Sequence, residues 1–265
     1  MSHPFGTEKS WSEWREQRDA SLKEPYGWFS LVELTWLDQT PKELSNFPGL
    51  WSSSEDGQTI TALITEEDPL YRGDEKVTGE VVIEVAPGVT DRSYRDSKGR
   101  EIEVMYRFGK PGIRVRDPHA PALENDYRIA RFKFDPKWVV RGRMLPYDEV
   151  REITVDAAVE GGSHVINTWG EAEVALPKDR TATLVVTGTG PEKSSVYFYD
   201  KSSGDTTAGW RTAPLSVDGE TVVIDFNRAT IFPAHMSPYG TCPKPPASNR
   251  IDAQVKAGEK KVVRP

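Results

Sequence analysis

The sequence predicts a mainly β protein, an antiparallel barrel or sandwich of about a dozen short strands with an N-terminal helix and a proline-rich C-terminal loop. Three observations carry this. Short runs of β-branched and aromatic residues follow one another closely, Gly, Pro and Asp punctuate them, and the strand–helix alternation of a parallel sheet is absent. The 265 residues are 37% hydrophobic and 28% charged, with eight Trp, nine Tyr and nine Phe, so the chain can bury a substantial core. No Gly/Ser-rich linker divides it. It reads as one domain over 1–265, with an N-terminal helical segment (1–25) and a β-rich body (26–265).

The helix is expected over Ser10 to Lys23. Ser10 and Glu13 have the spacing of a capping box, and Trp11, Trp14, Arg18 and Leu22 then share one face. Pro25 stops it, because the residue before a proline avoids helical torsions. A dense apolar stretch follows from Tyr26 to Leu37. Predicted strands then run over 59–64, 77–85, 101–108, 113–116, 127–134, 137–144, 149–155, 164–169, 171–176, 181–187, 195–200 and 221–226. Pro233, Pro238, Pro243, Pro245 and Pro246 exclude regular structure in the next segment, while Phe232, Met236, Tyr239 and Cys242 give it surface to pack as an ordered loop.

The net charge of −7 argues against general nucleic-acid binding. No run is long and apolar enough for a membrane span, and the first residues lack a signal-peptide core, so a cytoplasmic protein is expected. The single cysteine, Cys242, rules out an internal disulfide and the paired-cysteine zinc motifs. His3, His119, His164 and His235 are dispersed, and neither a metal nor a cofactor is expected. No nucleophile elbow, zinc-protease helix motif, phosphate loop or dinucleotide fingerprint appears.

The charge is not evenly spread. Between Lys110 and Arg143 there are nine Lys/Arg against Asp117, Glu124, Asp126 and Asp135, a net +5 inside an acidic chain. Arg114 and Arg116 share one strand face, as do Arg141 and Arg143. Guanidinium forks bind carboxylate or phosphate in bidentate fashion, so an inward face would favour an anion, with Asp117 or Glu259 as resting partner. The competing arrangement is cross-strand pairing with Glu101, Glu103, Glu149 or Glu152 on an outer surface.

Three segments resemble the DUF1684 family, a domain of unknown function. They are Gly27–Leu37, the Arg114-Val115-Arg116-Asp117 run through Pro121, and a C-terminal set comprising 225–229, 238–243, Asn249-Arg250 and 257–260. Two departures matter. Ala234 stands near the place of a second cysteine carried by many members, and Gly209 to Pro214 replaces an Arg-Phe-x-Tyr-like run. Within the resembling segments Arg114, Arg116, Asp117, Asn227, Arg228 and Arg250 are candidate ligand contacts, and Cys242, Tyr239 and Glu259 candidate catalytic groups. The same residues could be structural: Asp117 before Pro118 suits an Asx turn, and Asn227-Arg228 could pin the proline-rich loop.

Three functions fit these residues. One is a small-molecule-binding barrel with an anionic ligand, which leaves catalysis and homo-oligomerisation open. The second is a metal-independent hydrolase or isomerase using carboxylate, tyrosine or Cys242 chemistry. The third is an interaction module without a pocket. The first leads, on the basic strands and the aromatic supply.

Overall fold

The computed structural model describes residues 6–265, so His3 lies outside the described residues. Contacts gather the chain into two compact units, Ser21–Tyr127 and the chain up to Ala20 with Arg128–Pro265. Each has its own apolar cluster.

In the Ser21–Tyr127 unit the main strands are β1 (Leu31–Trp36), β2 (Phe47–Ser53), β3 (Thr59–Ile64), β4 (Gly79–Glu84), β5 (Glu101–Arg107) and β6 (Lys110–Arg116). Strands β2, β3 and β4 pair antiparallel in a four-stranded sheet, and β1, β6 and β5 in a seven-stranded one. Inward residues of both sheets, among them Trp51, Ile60 and Ile83 from the first and Ile102, Val104 and Ile113 from the second, form one core. Strand β2 is absent from the sequence expectation because Pro48 breaks its pattern; the proline sits beside an irregular register between Glu43 and Leu44.

The second unit is a closed six-stranded antiparallel barrel. Its strands are β7 (Val139–Asp156), β8 (Ser163–Leu176), β9 (Arg180–Thr187), β10 (Ser195–Asp200), β11 (Arg211–Asp218) and β12 (Thr221–Asp225). Each pairs with the next, and β12 closes on β7. Alternate residues such as Val140, Met144, Val174, Leu184, Phe198 and Ile224 fill the interior, so the barrel is packed rather than hollow. Glycine is required at Gly142, where a Cβ would stand 1.8 Å from the Glu173 carbonyl oxygen of β8. The predicted runs 137–144 and 149–155 belong to the single strand β7, irregular between Pro146 and Arg151, and 164–169 and 171–176 are both β8. Strand β11 was not expected, since Pro214 interrupts its run.

The helix α1 spans Glu8–Leu22, two residues earlier than the capping-box spacing predicts. Thr7 is the cap: its Oγ1 accepts the Ser10 N–H at 3.2 Å, which puts Ser10 in the third helical position. Trp11 is buried and donates its indole N–H to the Asn227 carbonyl at 3.0 Å, whereas Trp14 is only half-buried. The proline-rich segment is ordered around the turn Pro233–His235. A Cβ on Gly240 would lie 2.5 Å from the backbone of Ala234, so the chain closes tightly on itself there. Among the described residues no helix is long and apolar enough to cross a membrane.

Candidate functional site

Arg114 and Arg116 alternate with the core residues Ile113 and Val115, so they lie on the other face of β6; each is only 4% exposed there, and they meet a carboxylate of their own strand pair. Glu103 on β5 takes Arg114 Nη1 at 2.8 Å on one oxygen and Arg116 Nη2 at 2.5 Å on the other. Arg116 also donates to the Tyr26 and Gly27 carbonyls and lies over the Trp28 ring. Burial alone would push the Glu103 carboxyl up, yet Arg116 and Arg114 outweigh it and hold it below its ordinary range. The resting partner is thus Glu103, not Asp117 or Glu259. The pairing is cross-strand, as in the competing expectation, but buried instead of on an outer surface. Asp117 forms the Asx turn, accepting the His119 N–H at 2.8 Å.

The C-terminal candidates are mostly committed to backbone. Glu259, fully buried, accepts from Arg18 Nε at 3.1 Å, Arg131 Nη2 at 3.0 Å and the Ile231 N–H at 2.8 Å. Asn227 accepts the Asp135 N–H and donates to the Asp135 carbonyl, both at 3.0 Å, so it pins residue 135 and not the proline-rich loop. Arg228 reaches the Ser10 carbonyl and Asp225. Strands β9 and β10 share only one backbone pair, Thr187 with Ser195. Asn249 fills the gap, donating to the Val185 and Tyr197 carbonyls and accepting the Val185 N–H. Arg250 is exposed over the Tyr199 ring. Tyr239 and Cys242 are half-buried, and Cys242 accepts the Ala158 N–H through its carbonyl. Of the histidines, His119 lies near Glu124, His164 Nε2 meets the Thr241 carbonyl, and His235 Nε2 accepts the Trp210 N–H. Burial lowers His235 to about 4. Among the described residues no group of three or more His, Cys, Asp or Glu is placed to hold a metal ion.

A cleft of about 940 Å³ opens at one end of the barrel. Six cationic side chains line it: Lys137, Arg141, Lys178, Arg180, Lys201 and Lys256. Among the described residues the one lining carboxylate is Asp135, which accepts the Lys137 N–H. Lys201 is paired with Asp252 at 2.5 Å. Among the described residues the other five form no ion pair within 4 Å. The floor is apolar, made of buried Trp138, Val140, Leu176 and Ala253. Trp138 is held edge-on to the core residue Phe226, with ring centroids 6.0 Å apart.

The buried polar residues explain how these walls are set. Asn227 fixes Asp135, which caps the short turn Pro136–Trp138 and so delivers Lys137 and Trp138 together. Arg211, 0% exposed, donates to the Val255 carbonyl at 3.0 Å and the Ala257 carbonyl at 2.6 Å. That ties down 253–257, in which 253, 255 and 257 are buried while exposed Gln254 and Lys256 line the cleft. The hairpin between β8 and β9 supplies Lys178 and Arg180. Lys178 and Asp179 take left-handed torsions, φ 68° and 53°. Aspartate tolerates that region, but a lysine there bears a Cβ clash that glycine would avoid.

Of the predicted arginines only Arg141 lines this cleft; Arg143 lies beside exposed Glu220. Lys178, Arg180, Lys201 and Lys256 were missed, since none belongs to a basic run. Lys178 had a local signal, in a Pro-Lys-Asp turn where glycine or asparagine is usual.

Residues 127–260, just over half of the chain, match the model of a family described as "Protein of unknown function (DUF1684)". The span contains the whole cleft and the C-terminal motif set, and excludes Gly27–Leu37 and the Arg114 run. No curated protein matches the chain. A solution NMR structure of the uncharacterized protein from gene locus rrnAC0354 of Haloarcula marismortui is similar, at 22% identity and a TM-score of 0.44, over 53% of this chain and 80% of that one.

Proposed function

The chain belongs to the DUF1684 family, and we propose that its barrel is a binding module for a small anionic molecule, seated in the basic cleft at the barrel end. The observation that carries this is the imbalance of charge in one concave place: among the described residues, five lining cations stand outside any ion pair, beside Asp135 and the Lys201–Asp252 pair, in a protein whose net charge is −7. Surface charge of one sign gathered in a cleft raises the local concentration of the opposite ion. The volume is that of small-molecule sites, which run to roughly 300–1,000 Å³. The strained lysine adds weight, because a left-handed non-glycine residue persists where something outweighs its cost, and ligand clamps are such places.

Thermal denaturation in phosphate against chloride of equal ionic strength tests the reading. Phosphate is expected to raise the melting temperature, since a ligand of the native state stabilises by mass action. Combining Lys178→Ala with Arg180→Ala is expected to remove most of the rise. An identical melting temperature in the two salts would eliminate the anion site.

A further inference from the structure

Resting on that reading, we infer that the ligand is a dianionic phosphate ester or pyrophosphate whose organic part is apolar or aromatic. The charge of the site points to the first half. Among the described residues, five cations with no ion pair within 4 Å come from three separate segments, 137–141, 178–180 and Lys256, so the positive field is distributed around the cleft. A monocarboxylate offers one charge and two oxygens. A phosphate monoester carries about −1.5 to −2 at neutral pH and presents three acceptor oxygens, so it can meet cations from several walls at once.

The floor points to the second half. Trp138, Val140, Leu176 and Ala253 are part of the barrel's own core, and their outer surface is the base of the cleft. A fully hydrophilic polyanion would leave that base facing hydrated charge. A ligand with an apolar group covers it and gains the transfer free energy of both surfaces. Cations around an apolar base therefore select an amphipathic anion, with charge at the rim and ring or chain below. The volume is ample for a phosphate joined to a fused ring system.

Two sources share this chemistry, a soluble phosphate ester and a phosphatidate headgroup. We favour the soluble ester, because the cations surround a concavity instead of forming a flat face.

Titration calorimetry on the full chain separates the possibilities, with 1-naphthyl phosphate, 1-naphthoate and inorganic phosphate as probes. Naphthyl phosphate is expected to bind about tenfold or more tighter than either of the others, a gap of one decade in Kd. Lys178→Ala with Arg180→Ala should bring it down to the affinity of naphthoate. Lys256→Ala, on the segment pinned by Arg211, is the independent variant if the hairpin change disturbs folding. Equal affinity for naphthyl phosphate and inorganic phosphate would refute the apolar half, and equal affinity for naphthyl phosphate and naphthoate the dianionic half. Either result leaves an anion cleft in place, whereas no binding by any probe removes the underlying reading. Binding only to phosphatidylcholine vesicles doped with phosphatidic acid would overturn the soluble ligand.

Discussion

Replacing Lys178 by glycine should make the protein more stable and its cleft weaker. The lysine holds φ at 68°, where an L-residue is disfavoured by about 1–2 kcal/mol relative to its ordinary conformation. Glycine removes that cost but adds about 0.4–1 kcal/mol of unfolded-chain entropy. The balance is a net gain of about 0.5–1 kcal/mol, which for a unit of this size is a rise in Tm of about 1–4 °C. Ligand affinity should move the other way. An exposed cation lost from an anion site weakens binding by about 0.5–1 kcal/mol, or two- to fivefold, once solvent screening is allowed for. Scanning fluorimetry without ligand, followed by calorimetry with 1-naphthyl phosphate, measures the two terms separately. Lys178→Ala is the control: it loses the charge and keeps the strain, so affinity falls and Tm does not rise. If glycine lowers Tm as alanine does, the torsion is not strained. If glycine leaves affinity unchanged, Lys178 is a surface residue and the clamp argument fails.

Glu259→Gln should destabilise the barrel unit by about 3–5 kcal/mol in urea denaturation, because two arginines and a backbone N–H converge on this fully buried carboxylate; a loss below about 1 kcal/mol would return Glu259 to the catalytic candidates. The Glu103 carboxyl is held low by Arg116 and Arg114 against the opposing effect of burial. Its contribution is therefore full above the unfolded value of about 4.3 and is lost as pH falls below it. Acid unfolding of Glu103→Gln should accordingly be shallower than that of the parent, and superimposable curves would count against the buried triad. His235, lowered to about 4 by burial, is a base that the unfolded chain protonates first. Stability should therefore decline as pH drops from about 6.5 to about 4, by no more than about 1.4 kcal/mol per unit, and His235→Phe should flatten that part of the curve.

The sequence by itself determined the β architecture, the N-terminal helix and the family. Those rest on local properties: alternation of bulk with polarity, turn residues at run ends, and a motif set read in order. Locality also explains the errors. Pro48 and Pro214 hid two strands because a proline breaks a local pattern even where the sheet has room for it, at an irregular pairing or opposite the end of a partner strand. Thr7 took the cap from Ser10 because two adjacent residue sets satisfied nearly the same rule. The tertiary structure alone decided which cations act together. A window of sequence between Lys110 and Arg143 holds nine of them, but Arg114 and Arg116 close on Glu103 while Arg131 closes on Glu259. Lys137 and Arg141 instead join Lys178, Arg180, Lys201 and Lys256, which the barrel brings to one end from distant parts of the chain. Coulomb energy depends on separation in space and on burial, and neither is encoded in spacing along the chain. The same holds for Asn227, Asn249 and Arg211. Their polarity is equally consistent with touching a ligand or holding a backbone, and only the fold, by surrounding them with carbonyls and N–H groups, assigned them the second task.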